Sequence, residues 1–164
     1  MSIIIGINHV NTSSKQVHNA MNQNEEIRVL YVQPGKYPEE IKIPNTLETF
    51  QKYVCGSIES VRLDRDAYII CNDEGKLIPL PPNRLYGETD FFAGAFLICG
   101  DGGEDLISLT DSQVEKYEKK YHSPLIFLEL YPKPIALKCT PELYAKCTGE
   151  EHQHDTQENE WDER

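Results

Sequence analysis

Histidine, basic charge and long apolar runs are all scarce in this 164-residue chain, and each scarcity narrows the range of functions. Four of the five histidines (His9, His18, His152, His154) lie in the terminal arms. The fifth, His122, sits at a helix end, where partial positive charge is favoured beside the carbonyls. A body so poor in imidazole has few bases to activate a serine or cysteine, so no catalytic set is expected. No apolar run approaches the ~20 residues needed to cross a bilayer. The start, Met1-Ser-Ile-Ile-Ile-Gly-Ile-Asn8, is too short for a signal peptide and lacks its basic flank. A soluble, cytosolic protein without a membrane partner is expected.

Acids outnumber bases 27 to 16, for a net charge of -11, but the excess is uneven. Residues 149–164 hold seven acids and one base, a balance of -6, which leaves only -5 for the rest. The mildly acidic body disfavours direct nucleic-acid or anionic-membrane binding. The five cysteines are an odd number, and Cys71 and Cys99 fall inside apolar patterns. Together with Cys55, near a helix end, these two read as buried thiols of a reducing compartment, and the five are not a disulfide framework.

Ala67 to Gly100 is the most informative stretch. Two apolar runs, Ala67–Cys71 and Phe91–Cys99, bracket an Asp73-Glu-Gly75 turn and a Leu80-Pro-Pro-Asn-Arg84 loop. Short runs apolar on both faces read as central strands. Before them, Arg28–Gln33 predicts a strand, and the alternating Glu40–Ile43 predicts its hairpin partner near an edge. Asn45, with Glu48 three residues on, predicts a capped helix through Leu47, Phe50 and Val54, stopped at Gly56. Ile58–Leu63 predicts a strand that turns at Asp64–Asp66 into Ala67–Asn72, and Lys76–Ile78 a short returning one. Pro79, Pro81 and Pro82 lack backbone donors, so their segment belongs to an edge or loop. Thr110 and Gln113 form a capping box for a second helix with Val114, Tyr117 and Tyr121 as its stripe. Leu125–Leu130 suits one more strand, and Thr140-Pro141 opens a short helix to about Cys147.

The predicted order is β-β-α-β-β-β-β-α. Tight turns between strands imply a mostly antiparallel sheet, and two singly striped helices imply an α+β fold with both on one face. The expected divisions are an N-terminal arm (1–26), the α+β domain (27–131), a short helical extension (132–148) and an acidic disordered tail (149–164).

From about Arg28 to Tyr121 the motifs resemble a family known as domain of unknown function DUF3846. They are VQPGKYPEE, TLETFQKYVCGSIESV, ICNDEGKLIPLPPNR and AGAFLICGDGGEDLISLTDSQVEKY. The resemblance implies a small accessory protein of a phage, a mobile element or its bacterial host, and assigns no catalytic residue.

The residues offer several candidate sites. Pro81-Pro82 pre-sets an extended backbone that would present Asn83 and Arg84, the guanidinium forking onto a phosphate or carboxylate; the plainer reading is that Asn83 closes a turn and Arg84 pairs with a nearby carboxylate. Tyr86, near Phe91-Phe92, suits the wall of a pocket for a planar ligand, although loop packing explains it as well. Gly100–Asp105 lacks both the Gly-Lys-Ser/Thr ending of a phosphate loop and the spacing of a calcium loop, and reads as a flexible acidic loop. The gap between Cys139 and Cys147 is too long for a structural zinc pair, and His152 and His154 fall in the tail. The acidic pairs Asp64/Asp66 and Glu88/Asp90 read as solvated. No metal or cofactor is expected.

The function expected from these features is non-enzymatic binding of a host protein or a small anionic ligand, perturbing a host defence system. An acidic DNA mimic and a metal-dependent nucleotide enzyme are the alternatives. The Ile3–Ile7 run would be buried by strand addition at a sheet edge, within one chain or between two copies of a homo-oligomer.

Overall fold

Strands that are apolar on both faces need two covers, and this sheet has them. The computed structural model describes residues 25–149. The Ile3–Ile7 run, four of the histidines and the acidic tail lie outside the described residues. The elements are β1 (Glu26–Val32), β2 (Glu39–Pro44), α1 (Leu47–Val54), β3 (Ile58–Asp64), β4 (Ala67–Asn72), β5 (Pro82–Tyr86) and β6 (Asp90–Ala93). They continue as β7 (Phe96–Asp101), β8 (Leu106–Ile107), α2 (Asp111–Lys120), β9 (Leu125–Glu129), β10 (Ile135–Lys138) and α3 (Pro141–Thr148). The fold is α+β. A six-stranded antiparallel sheet runs β2-β1-β7-β4-β3, with β8 also on β7, and two hairpins, β5-β6 and β9-β10, stand beside it.

Alternation along the strands sorts the core into two layers. Val29, Tyr68, Ile70, Leu97 and Cys99 point one way and pack against Phe50 and Val54 of α1. Leu30, Ala67, Ile69, Phe96 and Ile98 point the other way, toward Tyr117 and Tyr121 at α2. The helices therefore cover opposite faces, not the single face expected. The reason is in β4, all six of whose residues are buried: one helix layer would leave half of it in water, at ~1.5–3 kcal/mol for each large apolar side chain.

Several boundaries differ from the sequence reading. Thr46, not Asn45, caps α1, its hydroxyl accepting from Thr49 N–H at 3.2 Å. Asn45 instead donates to the Leu106 carbonyl at 3.0 Å, which ties α1 to β8. Cys55 takes the left-handed position, φ 65°, one residue before the expected Gly56, and at this helix end its thiol is exposed, not buried as expected. Phe91–Cys99 is not one strand; it breaks at Gly94, φ +80°, where an added Cβ would lie 2.7 Å from Leu80 Cδ1. Lys76–Ile78 does not return as a strand, because Leu77 and Ile78 N–H both donate to the Glu74 carbonyl, at 2.9 and 3.0 Å, and the chain stays in a turn. Gly100–Asp105 closes β7 onto β8, with Gly102 N–H on the Asp105 carbonyl at 3.0 Å. The 132–148 segment holds β10 as well as the expected helix.

Other expectations hold. The Thr110–Gln113 capping box makes both of its bonds, and β1 and β2 pair from Glu26↔Pro44 to Tyr31↔Glu39. Tyr68, Tyr117 and Tyr121 are buried, whereas Tyr31 and Tyr53 are half-buried and meet edge to face at 5.1 Å.

Asp64 anchors α2 to the β3–β4 turn through Lys116, Arg65 N–H at 2.7 Å and Tyr117 OH at 3.2 Å. The bond from Lys116, then those from Arg65 and Tyr117, hold its pKa at about 2. The β9–β10–α3 segment docks through aromatic rings. Phe127 and Tyr131 lie 5.8 and 6.1 Å from Phe91, and the Tyr144 ring covers Gly35 so closely that an added Cβ there would sit 2.2 Å from Cδ1.

Candidate functional site

The β5–β6 hairpin lies across the α2 side of the sheet, where Phe92 joins that core layer. Its two ends carry different chemistry. At the Pro82 end, Asn83 is 1% exposed and Arg84 2%. Asn83 Nδ2 donates to the carbonyls of Val32 and Gly94, both at 2.9 Å. Arg84 donates from Nε to the Tyr121 carbonyl at 2.9 Å, from Nη2 to the Lys36 carbonyl at 2.7 Å and from Nη1 to Asn83 Oδ1 at 2.8 Å. No carboxylate pairs with it among the described residues. Burial lowers its pKa to about 10, so it stays a cation at neutral pH, held by charge-assisted bonds to neutral oxygens. The sequence reading put this pair on a presented loop. Instead the strand turns both side chains inward, where they clamp the ends of β1 and α2 together. The guanidinium is turned from solvent, and the expected carboxylate pair is not formed among the described residues.

At the other end, Tyr86 is 40% exposed and leans on Phe92, ring centroids 5.0 Å apart. Beside it a cleft of about 230 Å³ opens between the hairpin and the turn of residues 73–77, with Val61 and Cys71 among its lining. The turn is fixed through Asn72, whose Oδ1 accepts from Glu74 N–H at 2.7 Å while Nδ2 donates to the carbonyls of Val54 and Cys55, at 3.0 and 3.2 Å. Gly75 packs so tightly on β6 that an added Cβ would lie 2.7 Å from the Ala93 carbonyl oxygen.

Lys76 reaches across to pair with Asp90, its Nζ 4.5 Å from the centre of the Phe91 ring. Partial burial pushes the Asp90 carboxyl up, but the bonds from Lys76 and Phe91 N–H outweigh it and leave its pKa low. The Cys71 thiol is pushed up to about 12, first by burial and then by Glu59 and Asp73. A thiol so protonated is a poor nucleophile.

Of the expected site residues, Tyr86 lines this cleft and Asn83 and Arg84 do not. Lys76 and Asn72 are not among the candidate site residues of the sequence, and Asp90 figures there only as half of a solvated acidic pair; nothing local in sequence pairs Lys76 with Asp90. Of the four acids expected to be solvated, Asp64 and Asp90 have ion-pair partners, while Asp66 and Glu88 are exposed. His122 bonds to Glu118 at 3.1 Å and stacks on Tyr37 at 4.5 Å. A second groove of about 260 Å³ runs along α2, where Arg28 pairs with Asp111 at 2.7 Å and binds the Leu109 carbonyl; this cation serves to hold β1 to the helix. Among the described residues no three or more His, Cys, Asp or Glu side chains cluster to hold a metal ion, and no helix is long and apolar enough to cross a membrane.

Fold and site define an α+β domain, its antiparallel sheet covered on both faces, with a small aromatic-walled cleft under a side hairpin. The family model for domain of unknown function DUF3846 matches residues 27–122, more than half of the chain, and the chain belongs to that family. No curated protein and no solved structure matches it.

Proposed function

We propose that this chain is a non-enzymatic binding protein whose ligand occupies the cleft between Tyr86 and the 73–77 turn. One observation carries the reading: a tyrosine, 40% exposed, borders a hollow of about 230 Å³. That space equals about eight water molecules, and it is smaller than the pockets of drug-sized ligands. The walls are fixed by Asn72 and Gly75, so a ligand would meet a preformed site. The high pKa of Cys71 supports binding over covalent chemistry. In the setting the resemblance implies, a phage or mobile element in its host, such a protein acts as an accessory factor. Five unbridged thiols support a reducing, cytosolic compartment.

Native mass spectrometry of protein purified directly from cells tests the reading. The expected spectrum shows whole subunits plus a small discrete mass, lost in Tyr86→Ala. A bound mass that survives Tyr86→Ala but disappears in a variant remote from the cleft counts against it. A second reading, engagement of a host protein, is favoured by the exposed Leu128, Ile135 and Leu137 on the β9–β10 hairpin. Leu128→Glu with Leu137→Glu should then abolish a purified partner's binding while the melting temperature holds.

A further inference from the structure

The cleft's charge is one-sided. Glu59, Asp73, Glu74 and Asp90 border it, and Lys76 is the lone cation among the lining residues. Lys76 is already committed to Asp90, and Glu59, Asp73 and Glu74 carry no ion pair among the described residues. A ligand entering here meets a surplus of carboxylate, which repels anions and attracts cations.

The cleft also contains a tethered example of what it holds. The Lys76 ammonium sits between the Asp90 carboxylate and the face of Phe91, 4.5 Å from the ring centre. A carboxylate opposite an aromatic face is the arrangement that recognises organic cations. The tether is open to exchange: the Lys76 and Asp90 side chains are 38% and 48% exposed. A ligand cation could take the ammonium's place at Asp90 without disturbing the core. Tyr86 then offers its open ring to the flat part of the same molecule.

We propose, on the reading that this cleft is the binding site, that its ligand is a small planar cation, a single aromatic or heteroaromatic ring bearing an amine or amidine. Its charged group displaces Lys76 from Asp90 and its ring stacks on Tyr86. This reverses the anionic ligand expected from Arg84, whose guanidinium is sealed behind the hairpin and cannot reach a ligand.

Three isosteric probes separate this from the reading beneath it. The full chain is titrated with benzamidine, benzamide and benzoate while the Tyr86 and Phe92 ring resonances are followed. Benzamidine should bind at least about tenfold more tightly than benzamide and lose affinity as salt rises, and benzoate should be weakest. Asp90→Asn should weaken benzamidine about tenfold. Lys76→Met should strengthen it several-fold, because the internal competitor is gone. Equal affinities, or a preference for benzoate, overturn the cation assignment and leave the cleft as a binding site. Resonances unmoved by all three probes overturn both.

Discussion

Asn83 and Tyr86 stand on the same short strand, yet one is locked into the framework and the other borders open space. Each end of the hairpin meets a cation, its own Arg84 at one and Lys76 of the 73–77 turn at the other. Arg84 is 2% exposed and its guanidinium is spent on the Tyr121 and Lys36 carbonyls and on Asn83, so its charge serves cohesion. Lys76 faces a carboxylate at the surface, so its charge can be exchanged. Residue type alone does not separate a structural cation from a recognition group; its partners and its access to water do.

Substitutions can break this contrast. Arg84→Met removes the donor for the Tyr121 and Lys36 carbonyls and should cost about 3–5 kcal/mol in urea unfolding, since each buried acceptor left unpaired costs ~1–3 kcal/mol. A loss below about 1 kcal/mol would show that the clamp is not structural. Asn83→Ala should cost about 3 kcal/mol, because two buried carbonyls and Arg84 Nη1 lose a partner together at about 1 kcal/mol each. Gly94→Ala forces a side chain into φ +80° against Leu80 and should cost about 1–2 kcal/mol. At the open end Tyr86→Ala should change stability by only about 0.5 kcal/mol while ligand binding disappears. A large stability loss there would erase the distinction between the two ends.

Asp64 supplies a contrast read by pH. Its carboxyl lies at about 2, below the ordinary 3.8. The bonds to Lys116, Arg65 and Tyr117 therefore contribute stability that is present above pH 3.8 and lost as pH falls through about 2. Comparison of urea midpoints for the native chain and Asp64→Asn should show the curves converging over that window, with the smallest change in total stability of the set.

The α+β class, the β1–β2 hairpin and the Thr110–Gln113 cap were legible because each rests on neighbours in sequence. Tyr86 was legible as a pocket wall from its nearness to Phe91-Phe92. What was illegible depends on distant partners. Asn83 finds Val32, 51 residues away, and Arg84 finds Lys36, 48 residues away. Neither interaction leaves a local pattern, so both residues looked like an exposed loop. The opposite placement of the helices was readable in principle, since strands apolar on both faces demand it. The stripes of α1 and α2 do not say which face each covers. Thr46 displaced Asn45 as cap because β8, invisible as a two-residue strand, claimed the amide.

The ring of Phe91 has neighbours from two origins. Lys76 of the family domain lies over it, and Phe127 and Tyr131, beyond the matched residues 27–122, lie beside it. The packed unit thus extends past the boundary that sequence similarity draws. A fragment ended at residue 122 would bare Phe91 and uncover Gly35, and its cleft would not be that of the longer chain. Any recombinant version meant for ligand work should run through Thr148. Grafting a different C-terminal hairpin onto the same domain becomes a means of retuning selectivity from outside the cleft.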